Sequence, residues 1–248
     1  MWIPRVTSLW TLVVKFESNE YRKLLSKANV ELRRCGSGVS ILSWRGAPDE
    51  RYWKSLGLAR LFETVWVAAE LSSNRAAVSE LFGSLSAEYG SVIDTQRNVD
   101  CYNFLINTCI QYYGFPVLNL LDVGCGDGLI LRASAARSIR IVGYDLSAEI
   151  ARVAQSRGLE VLSDAEFFSG AEDFDAVVGC YSMHYFVEPY STIGFVSKHL
   201  KHAGVWAMNF HKNIMFDRFM GCLEGAEMRR IADFETNFGR VLVAGRAL

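Results

Sequence analysis

The chain has 248 residues, of which 50% are apolar and 21% are charged, and its formal net charge is −1. This length and composition suit one large domain, or one ordinary domain with an appendage, built around a substantial buried core. The near-neutral charge excludes a general electrostatic attraction to nucleic acid or to an acidic membrane surface, so neither is an expected partner.

The cysteines and the N-terminus bear on the cellular setting. No two cysteines are spaced as C-x-x-C, and no His/Cys cluster has zinc-ligand spacing, so we expect no metal site and a reducing, cytoplasmic location. The apolar run from Leu9 to Val14 is far too short to span a membrane. Charged residues follow that run without a small-residue cleavage pattern, so we predict no signal peptide.

Residues 1–85 form the first predicted unit, and residues 86–248 form the second. We expect the first unit to be an N-terminal cap segment, either α/β or helical, that contributes to substrate recognition, because the chain after Phe210 leaves no room for a large substrate insertion. Its predicted elements are a strand from Leu9 to Phe16, a helix from Glu20 to Ala28, a strand from Val39 to Trp44, a helix from Glu50 to Leu71 and a helix capped by Asn74 that continues through Phe82.

The second unit alternates strands and helices, which is typical of a parallel α/β sheet. The predicted strands are Leu118 to Val123, Ile139 to Asp145, Leu159 to Leu162, Phe174 to Cys180, Gly204 to Phe210, Met228 to Phe234 and Arg240 to Ala247. The predicted helices begin near Gly128 and span Ala148 to Arg157, Thr192 to Leu200 and Ile214 to Leu223.

A glycine-rich loop follows the first of these strands, with the sequence DVGCGDG from Asp122 to Gly128. A strand that stops in such a loop offers backbone N–H groups to a ligand, and glycine lets that ligand approach the main chain. Asp145, at the end of the next strand, can accept hydrogen bonds from ribose hydroxyls. The alternatives are an ordinary tight turn for the loop and a helix N-terminal charge for Asp145.

Two other nucleotide motifs do not fit this loop. The dinucleotide fingerprint G-x-G-x-x-G fails because Leu129 stands where its last glycine belongs, and no P-loop sequence occurs. The Asp122 carboxylate favours a cationic ligand group and repels a pyrophosphate.

Several segments resemble the S-adenosylmethionine (SAM)-binding core of class I methyltransferases. They are, in chain order, SAEYGSVIDTQRN, LLDVGCGDGLI, VGYDLSAEIARVAQSRG, VLSDAEFF and FDAVVGCYSMHYF. The resemblance implies a Rossmann-like α/β fold: a seven-stranded, mostly parallel sheet with helices on both faces and an antiparallel last strand.

The resemblance also implies roles for individual residues. Asp122, Gly124 and Gly126, with Cys125 between the glycines, would hold the methionine end of SAM, which Tyr89 would close. Asp145 would bind the ribose, and the adenine would meet Leu146, Asp164 and Ala165. Cys180 or Tyr181 would touch the cofactor through backbone atoms. Two plainer interpretations stay open: Asp164 caps the turn from Asp164 to Phe167, and Tyr89 is a packing aromatic.

The expected activity is SAM-dependent methyl transfer to an O, N or C atom of an acceptor, with S-adenosylhomocysteine (SAH) as product. His184, just past the fourth strand, is the candidate catalytic base, with a structural role as the alternative. A small-molecule acceptor is favoured because no basic stripe is present. The alternatives are a SAM-binding regulator, scaffold or cyclase without methyl transfer, and a methyltransferase acting on RNA or protein.

Overall fold

The computed structural model describes residues 9–15, 30–34, 39–45, 51, 54, 58–60, 65–68, 75, 78–79, 82–83, 86, 93–170, 172–183, 189–211 and 216–247. The strands of these residues belong to a five-stranded and a seven-stranded sheet. The boundary between residues 85 and 86 stays a prediction.

The five-stranded sheet lies in the N-terminal part of the chain and has the order β2-β3-β1-β5-β4. Its strands are β1 (Leu9–Lys15), β2 (Val30–Arg34), β3 (Val39–Arg45), β4 (Leu58–Arg60) and β5 (Val65–Ala68). β1 pairs in parallel with β5, and the other neighbours are antiparallel.

The predicted strands beginning at Leu9 and Val39 are confirmed. The predicted helix from Glu50 to Leu71 is wrong over β4 and β5, whereas Arg51 and Lys54 within that range are helical. Residues 65–67 are β-branched or aromatic types that favour strands, and pairing with β1 outweighs their helix-like spacing. The helix expected from Glu20 to Ala28, and the Asn74 cap, lie outside the described residues.

The seven-stranded sheet has the order β11-β12-β10-β9-β6-β7-β8. Its strands are β6 (Asn119–Val123), β7 (Arg140–Tyr144), β8 (Glu160–Val161), β9 (Phe174–Gly179), β10 (Leu200–Phe210), β11 (Met228–Thr236) and β12 (Gly239–Arg246). Strands β8, β7, β6, β9 and β10 run in parallel, and β12 runs antiparallel to both of its neighbours. The predicted mostly parallel sheet with an antiparallel last strand is therefore confirmed.

Helices cover both faces of this sheet. They are α1 (Thr95–Tyr113), α2 (Ala148–Ser156), α3 (Asp164–Ser169), α4 (Pro189–His199) and α5 (Phe216–Leu223). Alternate residues of a strand face opposite sides, so Ala176 and Val178 of β9 pack on the side of α1 and α2, whereas Val177 packs on the side of α3, α4 and α5.

Two parts of this layer differ from prediction. Helix α1 extends well beyond the segment SAEYGSVIDTQRN, beginning after the cap residue Asp94 and ending at Gly114, whose φ is 74°. The predicted helix after Gly128 is instead a pair of short 3₁₀ turns, Leu129–Arg132 and Ser134–Ala136. The Leu131 N–H donates to the Gly128 carbonyl, three residues back, so the tighter turn forms at once.

Asp175 ties together the strand ends opposite the glycine loop. It is 3% exposed, and its carboxylate accepts hydrogen bonds from the Tyr113 hydroxyl, the Leu118 and Asn119 backbone N–H groups and the Lys201 ammonium, at 2.7–3.0 Å. Burial alone raises a carboxyl pKa, but these donors outweigh it and lower the pKa of Asp175 to about 2.

Replacing Asp175 with alanine should lower the free energy of unfolding by about 3 kcal/mol, because buried donors lose their charged partner. The exposed Asp173→Ala variant is the control and should stay within about 0.5 kcal/mol of the wild type in urea unfolding. A carboxyl group whose pKa is lowered by folding stabilises the fold fully at a pH above its ordinary pKa. The contribution of Asp175 should therefore disappear as the pH falls from about 4 to about 2. Equal stability of the two variants would contradict the assignment.

Candidate active site

The glycine loop joins β6 to the first 3₁₀ turn and is pinned to β7. The Gly124 and Cys125 N–H groups both donate to the Tyr144 carbonyl, at 2.7 and 3.1 Å. Gly124, Gly126 and Gly128 have φ values of +79°, +55° and +82°, in the left-handed region that glycine adopts without strain. The loop conformation therefore requires glycine at alternate positions.

Gly124 is also sterically constrained by the turn that follows β9. A Cβ added at Gly124 would lie 2.3 Å from the Ser182 Cβ, well inside contact distance. The Ser182 hydroxyl donates to the Val123 carbonyl at 2.7 Å, which fixes the turn against the loop. The glycine loop and the turn after β9 thus form one packed unit.

Asp122 is a fully buried carboxylate at the end of β6. Among the described residues, no donor meets normal hydrogen-bond geometry with either of its oxygens. Burial raises the pKa of Asp122 to about 8, the neighbouring Tyr102 hydroxyl opposes that rise, and the charge of Asp145 adds to it. A buried acid without a donor is costly, so this carboxylate suits a cationic or hydrogen-bonding ligand.

Asp145 lies directly after β7 and faces the same loop. Its carboxylate accepts hydrogen bonds from the Gly126 N–H and the Ser147 N–H, one to each oxygen, both at 2.9 Å. Burial raises the pKa of Asp145 to about 6, although these two donors oppose the shift. Each oxygen keeps further acceptor capacity, which the vicinal hydroxyls of a ribose can use.

The expected adenine side lies at the start of α3. Ser163 caps that helix in a capping box with Glu166, so the interpretation of Asp164 as the capping residue is wrong. The Asp164 carboxylate instead accepts from the Tyr144 hydroxyl at 3.0 Å and from the Arg75 guanidinium at 3.1 Å. Ala165 is exposed beside it.

Arg75 and Tyr144 are residues that the sequence analysis missed. The Arg75 guanidinium also lies over the Phe168 ring, 4.3 Å from its centroid, and the nearby Ser79 hydroxyl donates to the Leu146 carbonyl at 3.0 Å. Part of the N-terminal segment therefore contacts the edge where Leu146 and Asp164 lie. No local sequence signal points to Arg75, because its partners are distant in the chain.

The side chains of Cys125 and Cys180 serve to pack the core around the site. Cys125 is buried against Gly143, and burial raises the pKa of its thiol. The Cys180 thiol donates to the Asn98 carbonyl of α1 at 3.8 Å, and burial raises its pKa as well. Both thiols are poor nucleophiles in this state. Backbone contact of Cys180 with a cofactor stays a prediction, and Tyr89 and His184 lie outside the described residues.

A cavity of about 400 Å³ adjoins the far end of the glycine loop. The buried Asp127 carboxylate fixes this end through an ion pair with Arg157, at 2.5 Å. The cavity is lined by Thr95, Asp127, Gly128, Leu129, Leu131, Arg132 and Arg157. Within the described ranges, no group of three His, Cys, Asp or Glu side chains could hold a metal ion, and no helix has the length and apolar character that crossing a membrane requires.

Residues 121–206, which include the glycine loop, Asp145 and the turn after β9, match the family model described as a methyltransferase domain. This part of the chain is thus similar to methyltransferase domains. An uncharacterised methyltransferase of Schizosaccharomyces pombe is 30% identical to the chain over 106 residues, and this stretch covers 40% of each protein. The match thus spans less than half of that curated relative.

Solved structures share the fold of the part of the chain that carries the seven-stranded sheet. A TehB-like SAM-dependent methyltransferase from Corynebacterium glutamicum matches with a TM-score of 0.52 and 18% identity, over 66% of this chain and 98% of that one. The magnesium protoporphyrin IX methyltransferase ChlM from Synechocystis, with bound SAM, matches with a TM-score of 0.51 and 16% identity, over 70% of this chain and 97% of that one.

Gly124→Ala should destabilise the protein more than Gly114→Ala does. Both glycines have a similar positive φ, but the space around Gly114 is open, whereas a Cβ at Gly124 meets Ser182. The backbone cost of about 1–2 kcal/mol is common to both variants, and overpacking adds about 1–3 kcal/mol at Gly124 alone. Urea unfolding measures both, and equal losses would contradict the packed unit of loop and turn.

Proposed function

We propose that the methyltransferase domain binds SAM at the glycine loop and transfers its methyl group to a small-molecule acceptor, releasing SAH. The observation that carries this proposal is the buried Asp122 carboxylate, which has no hydrogen-bond donor of normal geometry in the described chain and lies beside a loop that only glycine can form.

The residues of the site fit the parts of SAM. Asp122 supplies a negative charge for the α-ammonium group, and the left-handed backbone of Gly124 and Gly126 shapes the loop against which the methionine part would lie. Asp145 supplies acceptors for the ribose hydroxyls, and Asp164 with Leu146 supplies the edge for the adenine. When bound, SAM would supply an electrophilic methyl group: an acceptor nucleophile would bond to the methyl carbon as the bond from that carbon to the sulfonium sulfur breaks, and SAH would leave.

The chain contributes mainly by holding the reactants in place. Alignment of donor and acceptor provides effective molarities of roughly 10⁵ M or more in favourable cases. The loop is fixed by its bonds to the Tyr144 carbonyl and by Asp145, so it needs little reorganisation on binding. His184 is proposed as the base for acceptors that must lose a proton.

Two observations support a small-molecule acceptor: the net charge of the chain and the name of a protein that shares its fold. The net charge of −1 gives no general attraction to RNA, which supports a small molecule. ChlM, which shares the fold, acts on a small molecule according to its name. Detecting SAH release in the presence of candidate acceptors separates methyl transfer from SAM binding alone.

Binding of SAM near pH 7 should release close to one proton. Asp122, with a pKa of about 8, is mostly protonated in the free protein, and pairing with the α-ammonium group favours its ionised form. Calorimetric titration in buffers of different ionisation enthalpy measures this release. The Asp122→Asn variant and the ligand 5′-methylthioadenosine, which lacks the amino acid part, should each show almost none. Equal release by wild type and Asp122→Asn contradicts the pairing.

Asp145→Ala should weaken SAM binding by about 1.5–3 kcal/mol, the range for hydrogen bonds to a charged group. The exposed Asp164→Ala variant is the matched comparison and should lose less than about 1 kcal/mol, because solvent screens its charge. Calorimetry on variants with native circular dichroism checks both. Unchanged affinity in a folded Asp145→Ala protein removes the ribose assignment.

A further inference from the structure

Tyr181, in the turn after β9, has a backbone conformation that calls for an explanation. Its φ is +52°, a left-handed value that is uncommon for a bulky non-glycine residue. Such a conformation is strained and persists only where the surroundings enforce it. Tyr181 is followed by Ser182, the residue that packs on Gly124.

The buried side chain of Asn209 enforces this conformation from the neighbouring strand. Asn209 lies near the end of β10 and is 0% exposed. Its Oδ1 accepts a hydrogen bond from the Tyr181 N–H at 2.7 Å. Its Nδ2 donates to the Phe238 carbonyl at 2.8 Å, in the turn between β11 and β12. One amide thus joins the turn after β9 to the β11–β12 hairpin.

Arg97 of α1 also connects the turn after β9 to the β11–β12 hairpin. Its Nε donates to the Tyr181 hydroxyl at 3.1 Å, and its Nη2 donates to the Asn237 carbonyl. The side chain of Tyr181 is therefore held by Arg97, while its backbone is held by Asn209. The turn that carries Ser182 is thus bonded to neighbouring elements through both the backbone and the side chain of Tyr181.

We infer that Asn209 is a positioning residue for the donor site: its hydrogen bond to the Tyr181 N–H keeps the Tyr181–Ser182 turn seated on the glycine loop. This inference rests on the proposed function in that the glycine loop is the SAM site. Asn209 acts through Tyr181 and Ser182, and the glycine loop then receives its ligand in a fixed shape.

The test compares three variants of the full chain. Asn209→Ala removes both hydrogen bonds of the amide. Asn209→Asp keeps an oxygen that accepts from the Tyr181 N–H, but it loses the amide donor to Phe238 and adds a buried carboxyl group that lowers the stability. Thr236→Val is the control for the hairpin, because the Thr236 hydroxyl donates to the Gly239 carbonyl and accepts from the Phe238 N–H without touching Asn209.

The first measurement is the Kd for SAH by calorimetry, at a temperature where each variant is folded by circular dichroism. Asn209→Ala should bind SAH about tenfold more weakly, the size expected for loss of one well-made hydrogen bond. Asn209→Asp and Thr236→Val should stay within about threefold of the wild type, even with a lower Tm. Wild-type affinity in Asn209→Ala, or an equal loss in Thr236→Val, overturns the inference.

The second measurement does not depend on any ligand. Amide hydrogen exchange should be faster at Tyr181 and at Gly124 in Asn209→Ala, and unchanged there in Thr236→Val. If wild-type protein binds neither SAM nor SAH, the proposed function fails, and the exchange rates still decide whether Asn209 seats the turn. Unchanged exchange at Gly124 in Asn209→Ala shows that the amide does not act on the loop.

Discussion

The structure of the site depends on a carboxylate buried at the end of a central strand. Asp122 has β7 on one side and β9 on the other, and its two oxygens lie within the core without a hydrogen bond of normal geometry among the described residues. An acid in this position tends to stay protonated or to take up a ligand with a positive charge. The glycine loop, the turn after β9 and Asp145 are all arranged around it.

Asp175 is also a buried carboxylate, but it has hydrogen-bond donors for its oxygens. It lies on β9, next to β6, but at the opposite end of the sheet, and it collects donors from α1, from the start of β6 and from β10. The pKa of Asp175 is lowered to about 2, whereas that of Asp122 is raised to about 8. Asp175 therefore stabilises the fold, whereas Asp122 destabilises it. Buried acids with raised pKa values of this kind are typical of binding sites.

Most of the seven-stranded sheet is readable from its sequence because its central strands are largely apolar runs with turns between them. The strands β6, β7 and β9 and the glycine loop are local patterns, and they agree with the structure within a few residues. The helix predicted after Gly128 is wrong because 3₁₀ and α turns share almost the same apolar spacing. The helix predicted from Glu50 to Leu71 is wrong over β5 because pairing with β1 decides the structure there.

The parts of the site that sequence reasoning missed are contacts between distant residues. Arg75 reaches Asp164, and Asn209 reaches Tyr181, without any motif that marks either pair. The left-handed backbone of Tyr181 is likewise invisible in the sequence, since tyrosine gives no sign of it. Local patterns locate the loop and its acids, and tertiary packing decides which other side chains support them.

The 3₁₀ turns after Gly128 have an electrostatic consequence. A long α-helix at this point would place the positive end of its macrodipole, roughly half an elementary charge, at the loop and would favour an anion. The first turn here spans only Leu129–Arg132, so few peptide dipoles align behind the loop. The field at the loop is therefore set mainly by the Asp145 carboxylate, joined by Asp122 once a cationic ligand favours its ionised form, and it selects for positive charge in a ligand.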